Sequence, residues 1–414
     1  MTAEGGGATD GPSPDSDREQ WVTGAGMTRF SGESEQPLIQ LLETAALAAL
    51  DDAGVSPEQL DLVVVGNMAA EAFSGQSGLA NILVGSLGAY GASARRVENT
   101  SASGASAFES GVHALRSGSA ATALVVGGEK MSTASTARST EIVSRITHRQ
   151  EREQGITLPG FAGLAADAYL DRYGAGRREL ARVPVKNHRN ALTNEFAHFR
   201  KRVDVDDVVS SPLIAEPLRL YDCCPTTDGA AAVVLQSGGI DPEERTETAE
   251  ESPAGAGYDP IRVSAVESAA GTHAVGDRTD VLSLGSVERA GSLLFESTGF
   301  SPADVDFLCL HDAFSILEWI ELEALGFHDR GAAWEATVEG VHDVDGVLPV
   351  NPGGGLKARG HPIGATGLSQ LVEVVWQLRG EVSAERAVGD PSVGLALNLA
   401  GFGNNAVCTL LSRP

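Results

Sequence analysis

Apolar residues recur at helical spacing at Leu38, Leu41, Leu42, Ala45 and Ala46, and again at Val287, Ala290, Leu293 and Leu294. Each stretch predicts an amphipathic helix, and each leads through a turn into a short β-rich apolar run. The two turns are alike. AGVSPEQLDLVVVGN at 53–67 matches TGFSPADVDFLCLHD at 298–312, sharing Gly54/Gly299, Ser56/Ser301, Pro57/Pro302 and Asp61/Asp306. A second match follows at a similar offset. Ala102-Ser103-Gly104 opens a helical stretch ending Leu115-Arg116, with Ala105, Phe108, Val112 and Leu115 on one face. Ala365-Thr366-Gly367 opens another ending Leu378-Arg379, with Leu368, Leu371, Val374 and Val375 in the same role. Self-similarity on this scale predicts a duplicated architecture. Strand candidates at 62–65, 123–126, 231–235, 261–266, 307–310 and 395–399 alternate with the helices. The fold class is therefore α/β, with layered, mixed sheets covered on both faces.

The pattern also suggests boundaries. Residues 1–18 mix Gly, Pro, Ser and acids and read as a disordered acidic tail. Residues 238–259 have the same character and read as a linker between halves. The first half is then 19–128 with 206–237, and the second is 260–414. The segment 129–205 is richer in charge and aromatic residues, fits neither half, and reads as an inserted loop domain.

Composition narrows the function. The chain has 414 residues, 42% of them hydrophobic, which is ample for a large core. Its formal charge is -26, from 56 acidic and 30 basic residues, and the only lysines are Lys130, Lys186, Lys201 and Lys357. Such a surface is halophile-like and repels nucleic acid and anionic membranes. No apolar run approaches the roughly 20 residues needed to cross a bilayer, and the start of the chain is not a signal sequence, so a cytoplasmic location is expected. Cys223, Cys224, Cys309 and Cys408 lack the spacing of a zinc site or a disulfide framework, and no bound metal is expected.

Four stretches could carry chemistry: NTSASG at 99–104, HDAF at 311–314, GGGLKARGHPIGATG at 353–367 and NLAGFGNN at 398–405. Each falls at a strand end or helix start, where side chains and unpaired N–H groups converge in α/β folds. Ser101 stands before a helix of small residues, where the helix dipole stabilises a developing anion; it could equally be a helix cap. His361 lies in the matching turn of the other half and could exchange a proton with a hydroxyl, although a lone histidine is more often structural. His311 could donate a hydrogen bond to a thioester oxygen, or simply end its strand. The NLAGFGNN turn could supply backbone donors for an oxyanion hole. Lys357 and Arg359 are the nearest cations in sequence and read either as contacts to an anionic ligand, coenzyme A under the resemblance given next, or as solvated loop charges.

In order along the chain, these motifs resemble the thiolase superfamily, particularly its archaeal and sterol-carrier-protein-type acetyl-CoA C-acyltransferases. The likeness runs from GAGMTRF at 24–30 to the C-terminus and includes VKNHRNALTN at 185–194 and DCCPTTDGA at 222–230, with GHPIGATG its most specific piece. It implies a five-layered αβαβα fold of two pseudo-symmetric halves, assembled as homodimers or tetramers. It implies coenzyme A thioesters as substrates, no tightly bound cofactor, and a small zinc-ribbon/OB-fold protein as partner. Carried over by motif, His361 activates the nucleophile and His311 completes an oxyanion hole. Asn398, Ala400 and Gly401 fall where the family has a second oxyanion hole and its second cysteine.

The departures are as informative. The family's nucleophilic cysteine falls at Ser101, its second cysteine at Asn398, and the cysteine of some relatives' HDCF motif at Ala313. A hydroxyl is a weaker nucleophile than a thiol and would lean more heavily on His361. The expected function is an acyl-CoA C-acyltransferase of β-ketothiolase type acting through acyl-Ser101. The alternatives are a thiolase-fold subunit with little chemistry that binds acyl-CoA or scaffolds a partner, and a condensing enzyme that uses an acyl carrier.

Overall fold

The computed structural model describes residues 19–238 and 259–414. The tail at 1–18 and nearly all of the segment read as a linker, 239–258, lie outside the described residues. Within them the strands are β1 (Gln20–Met27), β2 (Leu62–Gly66), β3 (Ser93–Val97), β4 (Thr122–Glu129), β5 (Leu213–Ala215), β6 (Leu218–Arg219) and β7 (Gly229–Ser237). β8 (Ile261–Ala270), β9 (Phe307–Cys309), β10 (Val393–Ala400) and β11 (Asn405–Ser412) follow. β5 and β6 form a small hairpin, and the rest form one sheet in the order β3-β2-β4-β7-β1-β8-β11-β10-β9.

The repeat seen in sequence is a repeat in topology. β2 pairs parallel with β4, β4 antiparallel with β7, and β7 antiparallel with β1. In the second half β9 pairs parallel with β10, β10 antiparallel with β11, and β11 antiparallel with β8. β3 extends the first half at its edge, whereas its counterpart is reduced to one parallel bridge between Leu308 and Val350. The halves join where Trp21 faces Arg262 and Val22 faces Ile261, so the two half-sheets are continuous through a very short seam.

Strand periodicity sorts the core into layers. Val63 and Val65 of β2 face outward onto Leu42 and Ala46 of the Leu38–Ala53 helix. Leu62 and Val64 face inward, into a central cluster with Phe108 and Val112 of the Ser103–Arg116 helix and Leu371 and Val375 of the Thr366–Arg379 helix. The inner faces of the second half, at Ala396, Val407 and Leu411, close the same cluster from the other side. Leu308, Leu395 and Leu410 face outward onto Val287 and Leu294 of the Gly285–Thr298 helix and Ile316 of the Ser315–Ala324 helix. Helix, sheet, helix pair, sheet and helix give the expected five-layered αβαβα fold.

Glycine lets the two central helices touch. A Cβ on Gly104 would lie 2.7 Å from Gly364 O, and one on Gly367 only 2.5 Å from Ala105 N. Part of the glycine density around GHPIGATG thus has a packing cause.

Between β4 and β7 lie the helices Thr136–Ser144, Leu158–Tyr173 and Arg182–Asn190 and the β5/β6 hairpin. Phe161, Ala165 and Tyr169 join the outer core of the second half, with the Tyr169 and Trp319 rings 5.3 Å apart. Among the described residues, no helix is long and apolar enough to cross a membrane.

Candidate active site

Ser101 sits between the end of β3 and the Ser103–Arg116 helix. It is not a cap: Ala102 holds the N-cap position, while Ser103 Oγ donates to Thr100 O and accepts from Asn99 N. The Ser101 hydroxyl makes no hydrogen bond with any described residue and opens onto a cavity of about 330 Å³. Thr100 just before it has φ 47°, a region that β-branched residues rarely enter and that costs about 1–3 kcal/mol. Strain of this kind, beside a free hydroxyl at a helix start, marks the turn as one held for more than packing.

His361 lines the same cavity from the opposite half. The DCCPTTDGA strand anchors its backbone: Thr226 forms a parallel bridge with His361, and His361 N donates to Thr227 Oγ1 at 2.8 Å. Its Nδ1 is 2.7 Å from Thr366 Oγ1. Burial, reinforced by the nearby Arg359 guanidinium, pulls the imidazole pKa down to about 4, so the ring is neutral at ordinary pH.

His311 stands behind it, 1% exposed, with ring centroids 5.2 Å apart and planes nearly perpendicular. Burial and then the neighbouring His361 hold its pKa well below the usual value. Its Nδ1 is 2.9 Å from Asn398 Nδ2, and its backbone N donates to Glu321 Oε2 at 2.9 Å. Asp312 accepts from Leu356 N, Lys357 N and Asn187 Nδ2, tying the HDAF loop to the 353–360 turn. Burial and then the Glu318 carboxylate push Asp312 up to about 6. Glu318 itself is fully buried against Lys186 at 3.0 Å, with Asn187 and Asn351 donating to it. This buried polar frame fixes the loop that carries His311.

The structure therefore brings Ser101 and His361 to one cavity, with His311 packed behind His361, Asn398 behind His311, and neither of these two lining the cavity. Ala400 ends β10 and Gly401 lies in a left-handed turn at φ 60°, and neither lines the cavity. Lys357 and Arg359 are neither solvated nor cavity-lining, at 3% and 2% exposed. Lys357 Nζ lies over the Phe199 and Tyr221 rings, and Arg359 Nη1 donates to Ser369 O. Sequence reasoning missed Cys223 and Cys224, which line the cavity beside Ala313 and Phe314. It also missed Met68 and Met131, apolar walls that no motif announced. Burial pushes both cysteine thiols up to about 12.

A duplicated half whose central helices aim a free hydroxyl and a neutral imidazole into one largely apolar cavity defines an enzyme of the acyl-transfer class. Comparison with known families makes this specific: residues 21–239 match the thiolase N-terminal domain and residues 268–413 the thiolase C-terminal domain-like family. The chain belongs to the thiolase family. An acetyl-CoA acetyltransferase of Methanothermobacter thermautotrophicus is 37% identical over 396 residues, 96% of this chain and 100% of that protein. Human sterol carrier protein 2 is 30% identical, covering 95% of this chain and 72% of that protein. The solved structure of the Ltp2-ChsH2(DUF35) aldolase superposes with a TM-score of 0.80 at 24% identity, covering 95% and 98% of the two chains. This is an enzyme of thiolase type in the acyltransferase class.

Proposed function

We propose that the protein is an acyl-CoA C-acyltransferase of β-ketothiolase type that works through an acyl-Ser101 intermediate with His361 as base. Ser101 Oγ attacks the thioester carbonyl while its proton passes to His361, and the leaving coenzyme A sulfur takes that proton as it departs. His311 donates to the carbonyl oxygen as negative charge gathers there. In the synthetic direction His361 takes a proton from the Cα of a second acyl-CoA, that carbon attacks the acyl ester, and Ser101 Oγ leaves and takes the proton back. In the reverse direction a 3-ketoacyl-CoA is cleaved and coenzyme A accepts the acyl group. The observation that carries this reading is the shared cavity, with Ser101 on one half and His361 on the other.

Asn398 acts on the site through His311. The turn at Ala400 and Gly401 keeps the place of the family's oxyanion loop but turns no group into the cavity. The segment 129–205 acts as the inserted loop domain and shapes the acyl pocket, since Met131, Val143 and Leu158 line it. The family likeness supports a homodimer or tetramer, and the neighbour solved as Ltp2-ChsH2(DUF35) aldolase supports a small zinc-ribbon/OB-fold partner.

The test is thiolysis of acetoacetyl-CoA in high salt. Ser101→Ala should lower kcat by about 10³-fold or more, and His361→Ala alone should cost about as much, because the two act as a unit. Full activity in Ser101→Ala would refute a serine nucleophile.

A further inference from the structure

His311 and His361 have the same ring, touch each other and share the same neutral charge state, yet the reaction asks one to accept a proton and the other to donate a hydrogen bond. Identical rings can do both only if they are held in different tautomers. Their Nδ1 partners supply that difference.

Thr366 Oγ1 has a single proton, and it is directed at Pro362 O, 3.0 Å away on the preceding turn. The same oxygen lies 2.7 Å from His361 Nδ1, so it serves there as an acceptor. His361 therefore carries its proton on Nδ1 and keeps the Nε2 lone pair for Ser101. At His311 the polarity is reversed. The Asn398 amide is oriented with Nδ2, a donor, 2.9 Å from His311 Nδ1 and with its Oδ1 buried without a partner, and in this orientation Nδ1 accepts. His311 therefore carries its proton on Nε2. Neither Nδ1 meets a carboxylate, and His311 is 1% exposed with His361 part-buried in front of it, conditions under which a neutral ring keeps one tautomer.

We infer that Thr366 and Asn398 are positioning residues that set the two neighbouring imidazoles in opposite tautomers, making His361 Nε2 the proton acceptor and His311 Nε2–H the hydrogen-bond donor. The inference rests on the reading of His361 as base to Ser101. It assigns distinct tasks to two identical rings using one hydroxyl and one amide. It also gives a reason for asparagine at 398: an acceptor there would pull the His311 proton to Nδ1 and remove the donor.

The experiment combines single-turnover acylation of Ser101 by acetyl-CoA with ¹⁵N NMR of the full chain carrying ring-labelled histidine. Thr366→Val should slow acylation on the order of 10²-fold with the KM for acetyl-CoA little changed, the scale expected when a base is held in the wrong tautomer. Thr366→Ser should restore the rate to within about threefold, since the hydroxyl is retained. Asn398→Asp, although isosteric, should be slower than Asn398→Ala; a purely structural role would rank these the other way. The ring ¹⁵N shifts should show one of the two histidines protonated at Nδ1 and the other at Nε2. Like tautomers, no rescue by serine, or an Asn398→Asp enzyme as fast as the parent would overturn the inference. Should the parent form no acyl adduct at all while the shifts still show opposite tautomers, the acylation reading fails and the tautomer assignment stands.

Discussion

Replacing Gly367 by alanine puts a methyl group where the two central helices meet, and the consequence can be worked from the contacts. The new Cβ would lie 2.5 Å from Ala105 N, 2.6 Å from Asn398 Oδ1 and 2.8 Å from Ala105 Cβ. Ordinary contact distances begin near 3.5 Å, so the helices must separate by about 1 Å or the helix carrying Gly367 must rotate. Overpacking of this kind costs about 1–3 kcal/mol of stability. The effect on catalysis should be larger in proportion, because Ser101 and His361 lie in the turns that lead into these helices; a misplacement of about 1 Å at reacting atoms costs on the order of 10²-fold in rate. The assay pairs denaturant unfolding with single-turnover acylation in the same high-salt buffer. Gly380→Ala is the control. Gly380, unlike the helical Gly367, has a left-handed backbone at φ 73°, and nothing lies within 4 Å of its Cβ position. It should lose about 1–2 kcal/mol through backbone strain and keep its acylation rate. A Gly367→Ala enzyme that acylates as fast as the control would show that the helix contact does not set the catalytic geometry.

Three further outcomes follow from the site. Cys223 and Cys224 line the cavity with thiols pushed up to about 12, so they stay protonated and iodoacetamide at neutral pH should leave acylation intact; rapid inactivation would place a reactive thiolate in the mechanism. His361 titrates near 4 in the folded protein, so the acylation rate should be flat from neutral pH downward and fall only as pH drops through about 4, whereas loss through about 6.5 would mean an imidazole free of its buried setting. The unfolded chain binds this proton already below about 6.5, so His361 also makes stability decline as pH falls from there toward about 4; rate and stability must be measured separately. Lys186→Met strands the buried Glu318 carboxylate, and should cost about 3–5 kcal/mol by denaturant unfolding; a change under about 1 kcal/mol would show that the pair is not a fixed part of the frame.

Much of the fold was legible because it is duplicated. The Gly-x-Ser-Pro turns at 54 and 299 and the paired helix starts at 102 and 365 reported two copies of one unit, and the copies have the same strand pairing. The convergence of Ser101 and His361 followed from the order of motifs within those copies. What stayed hidden depends on contacts between residues far apart in sequence. Nothing local says that Thr226 lies beside His361, or that Cys223 and Cys224 therefore reach the cavity. Asn398 was placed by the family likeness alone, at the second-cysteine and oxyanion position, and nothing local says that its amide is turned to His311 across 87 residues. Lys357 and Arg359 were read either as coenzyme A contacts or as solvated loop charges, and only the packing of Phe199, Tyr221 and Ser369 around them shows that they are interior.

The most direct measurement is the intact mass of the protein after incubation with acetyl-CoA in high salt, followed by mapping of the modified peptide. A serine nucleophile activated by His361 predicts a gain of one acetyl group, located on Ser101 and absent in both Ser101→Ala and His361→Ala. An adduct on Cys223 or Cys224, or turnover of acetoacetyl-CoA with no adduct and no loss in Ser101→Ala, would contradict it.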